Sequence, residues 1–329
     1  MENNTYRVVL VHRDRYLVRN DKEELYCVLS GGLRGRGERP VVGDMAEVIV
    51  NPYGDSLIRE ILPRRTVFCR PDRSGHADGF VKTMKVQPLI ANIDYVFIIT
   101  SLNRDFSLGR IARYAAMTVS GGAVPVAVLT KADLVQSPEE MEKKVAALSR
   151  DIEVVTISSY TGYGLDRLRA YFRPGVTIGL LGSSGAGKST LVNTLAGREV
   201  MRTGGIREED SKGRHTTTHR ELIEVDGVSF IDTPGLRELG MIDAEEGIAG
   251  TFSDIAELTG RCAFSDCSHR TEPGCAVRKA LEDGTLDPAR WEMYLRLQKE
   301  NSWSKQKKNE MMMNVAMYRR KLSKSPKRR

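Results

Sequence analysis

Up to residue 65 the apolar positions come in short runs. Residues 6–11, 16–19, 25–29, 46–50 and 56–61 are rich in Val, Ile, Leu and Tyr. Turn signals at Arg19-Asn20-Asp21, Gly31-Gly32 and Pro52-Tyr53-Gly54-Asp55 separate them. Strands spaced this closely predict a small β-barrel over 1–65. An OB-fold, a design that binds oligonucleotides, is one such barrel. An SH3-like barrel with a solvated basic loop is the other reading. Arg34, Arg36 and Arg39 are expected on the long Gly-rich loop, where RNA contact is the expected use. Residues 66–90, polar and rich in Arg and Gly, read as a linker.

From 91 to 240 the rhythm changes. Apolar segments at 95–100, 125–130, 153–157 and 177–181 alternate with helical patterns at 108–117, 139–150 and 165–172. Alternation of this kind predicts an α/β domain, a parallel sheet covered by helices. Residues 222–225 and 229–231 then flank Asp226-Gly227, a strong hairpin turn. Residues 241–304 read as mainly helical. Within them Asp287-Pro288 forms an N-cap followed by proline at the first helical position. Residues 305–329 form a basic tail. No internal repeat is found.

Composition narrows the class. A chain of 329 residues allows two or three domains on a prior of about 100–200 residues each. With 40% hydrophobic and 28% charged residues it is expected to be globular and soluble. No apolar run reaches the ~18 residues of a membrane span. Glu2, Arg7, His12, Arg13 and Arg15 interrupt the start, so no signal-peptide core is expected and the location is cytoplasmic. Net charge is +7, which suits an anionic partner or simply a basic surface. From residue 301 onward the only acid is Glu310, while Lys305, Lys307, Lys308 and a run to Arg329 are basic. Five cysteines argue against a disulfide framework.

The chemistry lies in four places. Gly182-Ser183-Ser184-Gly185-Ala186-Gly187-Lys188-Ser189 fits G-x-x-x-x-G-K-[ST] between an apolar strand and a helical run that starts at Thr190. Its backbone amides and the helix N-terminus suit phosphates. Lys188 is expected on the β- and γ-phosphates and the Ser189 hydroxyl on Mg²⁺. Asp232-Thr233-Pro234-Gly235 ends the hairpin. Asp232 is expected to hold Mg²⁺ through water, and the Gly235 amide to sense a γ-phosphate. Thr130-Lys131-Ala132-Asp133 fits [NT]-K-x-D. The Asp133 carboxylate can accept from guanine N1–H and the 2-amino group, which adenine cannot match. Thr130 stands where asparagine is usual, which is expected to weaken one loop contact. Ser158 and Ser159 would lie beside the base edge. Finally, Cys262, Cys267, His269 and Cys275 offer three thiolates and an imidazole, a set that suits one structural Zn²⁺.

The base-reading segments precede the phosphate loop, the reverse of the ordinary GTPase order. Joining the old termini near Phe172-Arg173-Pro174 and opening new ones elsewhere permits the same sheet, since termini often lie close together.

These residues, together with Gly213-Arg214-His215-Thr216-Thr217-Thr218, resemble the RsgA (YjeQ) family of circularly permuted GTPases, small-ribosomal-subunit biogenesis factors. The resemblance covers nearly the whole chain. It implies an OB-fold, a GTPase core, a zinc domain and hydrolysis of GTP to GDP stimulated by the small subunit. The partner expected is that subunit with its rRNA, met by a monomer away from membranes. A switch threonine, Thr217 or Thr218, is expected to join the metal shell. Leu236 occupies the position after Gly235 where Ras-like enzymes place a water-orienting glutamine, so slow intrinsic turnover is expected. His215 is the candidate replacement, and bracing the loop or contacting RNA is its alternative role. Two rivals remain at this point: a nonenzymatic RNA-binding protein that merely holds nucleotide, and a P-loop kinase or ATPase.

Overall fold

The computed structural model describes residues 4–72, 76–77, 81–82, 85–103, 105–202, 220–233, 240–241 and 243–324. Five strands, β1 (Thr5–Val11), β2 (Tyr16–Arg19), β3 (Glu24–Leu29), β4 (Met45–Ile49) and β5 (Ser56–Ile61), close into a barrel in the order β1-β2-β3-β5-β4. Only β3 and β5 pair in parallel, the Greek-key arrangement of an OB-fold. Period-two alternation builds its core. Tyr6 and Val8, Tyr16 and Val18, Cys27 and Leu29, and Ala46 and Val48 all point inward.

Gly31 to Arg36 is not a loop but a short helix, α1 (Gly31–Arg36). The Ser30 hydroxyl accepts from Leu33 N, and the fully buried Leu33 side chain joins the barrel core. Burial of one leucine thus overrides two glycines that signal a turn. Arg34 and Arg36 therefore sit on a helix, and Arg36 is tied to Glu38 and Glu60 at 2.8 and 3.0 Å.

The segment read as a linker is also ordered in part. Strand β6 (Val67–Asp72) pairs antiparallel with β9 (Lys85–Ala91), and β7 (His76–Ala77) pairs with β8 (Val81–Lys82). Phe68, Leu89 and Ile90 are fully buried, which holds the β6–β9 ribbon against the body.

The central sheet runs β12 (Glu153–Thr156), β11 (Val124–Thr130), β10 (Tyr95–Ser101), β13 (Thr177–Gly182), β15 (Val228–Asp232), β14 (Leu222–Val225). All its pairings are parallel except the β14–β15 hairpin. Along β10, Val96 and Ile98 join one core while Phe97 and Ile99 join another. In β11, Ala127 and Leu129 oppose Val126 and Val128 in the same way. Both faces are thus apolar and both are covered. Helices α4 (Leu165–Arg169) and α5 (Lys188–Ala196) contribute to one core. Helices α2 (Leu108–Ser120) and α3 (Pro138–Ala146) contribute to the other.

That second core continues into the C-terminal helices α6 (Glu245–Thr251), α7 (Ser253–Gly260), α8 (Ala276–Glu282) and α9 (Pro288–Lys324). Helix α6 crosses α2 so closely that a Cβ on Gly247 would lie 1.9 Å from Ala116 O. Asp287 caps α9 by accepting from Ala289 N at 2.7 Å. The basic stretch does not peel away as a tail at 305, because α9 continues through it to Lys324.

Candidate functional site

The C-terminal ends of the parallel strands carry the candidate residues. Gly182 ends β13, the loop turns through Gly185 and Gly187, and Lys188 opens α5. Gly187 has φ +101, a region that a side chain would strain. Lys188 Nζ donates to Gly182 O at 2.9 Å and Ser183 O at 3.0 Å, so its charge is folded over the loop. Ser189 and Thr190 follow on the first turn of α5. Amides of that turn can hold an anion.

The [NT]-K-x-D segment is bonded directly to this loop. Thr130 Oγ1 donates to Ala186 O at 2.6 Å. Lys131, at φ +62, donates from Nζ to Gly185 O at 2.8 Å. Threonine in place of asparagine therefore makes a loop contact of its own. Ala132 N donates to Ile157 O at 3.1 Å, joining this turn to the end of the next strand. There the buried Ser158 hydroxyl donates to Asp133 Oδ1 and accepts from Tyr160 N and Thr161 N. The structure thus brings together the segments at 130, 158 and 182 despite their permuted order. Ser159 follows Ser158 in the chain and is half-buried at the edge of this cluster.

Asp232 closes β15, and its Oδ1 is buried with no hydrogen-bond partner among the described residues. Burial raises its pKa, while the Lys188 charge and the Thr233 amide lower it. A buried carboxylate oxygen left unpaired beside a phosphate-type loop fits a divalent cation, and Asp232 with Ser189 would hold it. His215, Thr217, Thr218 and Gly235 lie outside the described residues.

One neighbour carries no motif signal. Asp105, on the loop after β10, accepts from the Ser183 hydroxyl and from Arg110 Nη1 at 2.8 Å. It braces the phosphate loop from behind, and only the fold brings it there.

The second site is a cluster at the start of α8. The ligand atoms of Cys262, Cys267, His269 and Cys275 all lie within 4.8 Å of one another. Cys262 Sγ is 3.5 Å from His269 Nδ1 and 4.0 Å from Cys275 Sγ. Tetrahedral Zn²⁺ with Zn–S bonds of about 2.3 Å spaces its sulfurs by roughly 3.8 Å, so the donor set and its spacing fit that ion. His269 adopts φ +61 and packs edge-on against Trp291 at 5.4 Å, which fixes its ring from α9.

The model of the RsgA GTPase family matches residues 61–242. The small ribosomal subunit biogenesis GTPase RsgA 2 of Listeria monocytogenes is 41% identical over 305 residues, spanning 92% of this chain and 84% of the relative. Its counterpart from Opitutus terrae is 43% identical over 313 residues, spanning 91% and 83%. Crystal structures of YjeQ from Thermotoga maritima (TM-score 0.66, 25% identity, 89% of this chain and 96% of that one) and of YloQ, a circularly permuted GTPase (0.64, 22%, 93% and 98%), share the fold. Identity of this extent over nearly the full length of both partners has common descent as its explanation, and the chain belongs to the RsgA GTPase family.

Proposed function

We propose that the protein binds GTP with Mg²⁺ at the loop spanning 182–190, hydrolyses it to GDP and phosphate, and assists late maturation of the small ribosomal subunit. The relatives bear that biogenesis role in their names. The observation that carries the nucleotide reading is the direct bonding of Thr130 and Lys131 to Ala186 and Gly185. A guanine reader and a phosphate cradle joined in this way hold base and phosphates in one frame. Asp133, oriented by Ser158, accepts from the guanine edge. Lys188 leaves its loop carbonyls for the β- and γ-phosphates, and the α5 amides add further donors. Asp232 and Ser189 would hold Mg²⁺, which would supply charge neutralisation on the phosphates. The chain's own contribution is positioning, with Asp105 and Thr130 fixing the loop from two sides.

From the sequence alone, Thr217 or Thr218 is assigned to the metal shell. His215 is assigned to orienting water in place of the glutamine that Leu236 replaces. A His215→Ala variant should keep its GTP affinity and lose most of its subunit-stimulated turnover, the signature of an interaction made in the transition state. Lower affinity with an unchanged rate would make it a bracing residue instead.

The partner is the small subunit through its rRNA, met by a monomer in the cytoplasm. Among the described residues no helix is long and apolar enough to cross a membrane. The base assignment is tested with Asp133→Asn. Its amide can donate to the 2-oxo group of xanthine, so GTP binding should fall and xanthosine triphosphate binding should rise. Titrations that leave both affinities unchanged would remove Asp133 as the base reader.

A further inference from the structure

Between the barrel, the β6–β9 ribbon and the start of β14 lies a cleft of about 650 Å³. That volume accommodates a small ligand or a nucleotide unit. Its wall is cationic: Arg13 comes from the β1–β2 turn, Arg39 from the segment after α1, Arg64 from beyond β5, and Arg220 from just before β14. One carboxylate, Glu38, shares the lining, and Arg36 already engages it at 2.8 Å. Arg64 is neutralised from behind by the fully buried Asp44, which takes two of its nitrogens at 2.7 and 2.8 Å. That pair fixes the guanidinium rather than leaving it mobile.

Arg13, Arg39 and Arg220 form no ion pair among the described residues. Arg220 is the telling one. Its Nε is buried and meets no hydrogen-bond partner among the described residues. Burial, and then the nearby charge of Arg70, lower its pKa. A buried guanidinium without a counter-ion is costly. Arg7, the other arginine with a buried unpartnered Nε, is engaged elsewhere: its remaining nitrogens bond Thr177 Oγ1 and Ser229 Oγ across the barrel–sheet junction. Among the described residues Arg220 has no such use.

We propose that this junction cleft is a phosphate-binding site separate from the nucleotide loop, with Arg13, Arg39 and Arg220 as its donors. The phosphate is either part of a single-stranded RNA backbone or free in solution. The RNA source rests on the partner proposed above, whereas the phosphate chemistry stands on the cleft itself. An anion there touches barrel, ribbon and sheet at once, and so ties the barrel to the strand that forms the edge of the GTPase sheet.

The test uses the full chain saturated with GDP and Mg²⁺, which fills the nucleotide loop. Binding of a fluorescein-labelled oligouridylate is followed by anisotropy across a salt series, with inorganic phosphate as competitor. Arg220→Gln and Arg39→Ala should each weaken binding roughly tenfold, as expected when one charge-assisted hydrogen bond is removed. Each should also flatten the log–log salt slope by about 0.7. Arg59→Ala, which removes an exposed arginine of the barrel that does not line the cleft, should change neither. Arg39 is exposed, so its variant remains informative even if Arg220→Gln fails to fold. Displacement by millimolar phosphate assigns a free-phosphate site, and indifference to it assigns the RNA backbone. Equal weakening in Arg59→Ala and Arg39→Ala would show diffuse attraction and overturn the proposal, as would wild-type binding in Arg39→Ala. GTP turnover measured on the same preparations separates failure of the cleft from failure of the GTPase reading.

Discussion

Asp232 carries an electrostatic cost that a bound cation would relieve. Its Oδ1 is buried and unpartnered among the described residues, and burial raises its pKa above the ordinary 3.8. A raised folded-state value means that the ionised side chain destabilises the fold above that pKa. The penalty is relieved as pH falls through it and is gone below the unfolded value. Asp232→Asn should therefore melt no lower than the wild type at neutral pH without nucleotide, and the difference should vanish as pH approaches about 4. The same variant should lose the Mg²⁺-dependent part of its GTP affinity, about tenfold or more. Melting curves over a pH series, with and without Mg²⁺ and GTP, read both effects. A variant that melts lower at neutral pH and keeps its Mg²⁺ dependence contradicts the metal role. Thr130 shows the opposite balance, since its buried hydroxyl is satisfied by Ala186 O. From the sequence, threonine reads as a weakened asparagine. Only the geometry shows that the shorter side chain still reaches the loop.

At the scale of elements, the zinc cluster is a cross-link between α8 and the turn before it. Cys275 both belongs to the cluster and caps α8, accepting from Arg278 N at 3.4 Å. Metal binding is thus coupled to helix formation. One zinc per chain is expected, and Cys262→Ser or His269→Ala should abolish its binding. Removal by chelator should melt the C-terminal helices before the central sheet. Metal analysis with circular dichroism checks this, and a metal-free protein with unchanged melting would leave the cluster without a structural role. Strands were legible wherever one periodicity ruled: period two in the barrel, and continuous apolar runs in β10, β11 and β13. The phosphate loop and the Cys/His set were legible because their chemistry dictates their spacing. Three elements were not. Helix α1 hides behind Gly31 and Gly32, since its existence depends on Leu33 filling the barrel. Ribbon β6–β9 hides because cross-strand polar partners such as Arg70 and Gln87, 3.0 Å apart, resemble loop residues in sequence. The end of α9 hides because lysines read as a solvated tail are also good helix formers.

At the scale of the whole molecule, the C-terminal helices share one core with the central sheet. Helix α2 meets α6, and Arg113 on α2 binds Glu300 on α9 at 2.8 Å. The first turns of the basic stretch belong to this body. Ser304 is buried, Lys305 pairs with Glu245 at 2.7 Å, and Lys308 pairs with Asp243. Beyond Glu310 the helix exposes Met312, Met313 and Met317, each by more than half. A truncation at 305 would therefore disturb packing and charge together. Deleting 311–329 spares those ion pairs and the buried Ser304: it removes Arg319, Arg320, Lys321, Lys324, Lys327, Arg328 and Arg329, and no acidic residue. For every phosphate that the deleted end neutralises, the log–log salt dependence of subunit binding should flatten by roughly 0.7–0.9. The truncated chain should therefore bind small subunits more weakly at low salt and with a shallower slope. Its free GTP turnover should stay within about twofold of the full chain, about 0.4 kcal/mol in barrier. Sedimentation with purified subunits across a salt series, beside phosphate release without them, measures both. A salt slope identical to that of the full chain would show that the basic end of α9 takes no part in holding the subunit, and would leave the arginines of the barrel as the cationic contacts.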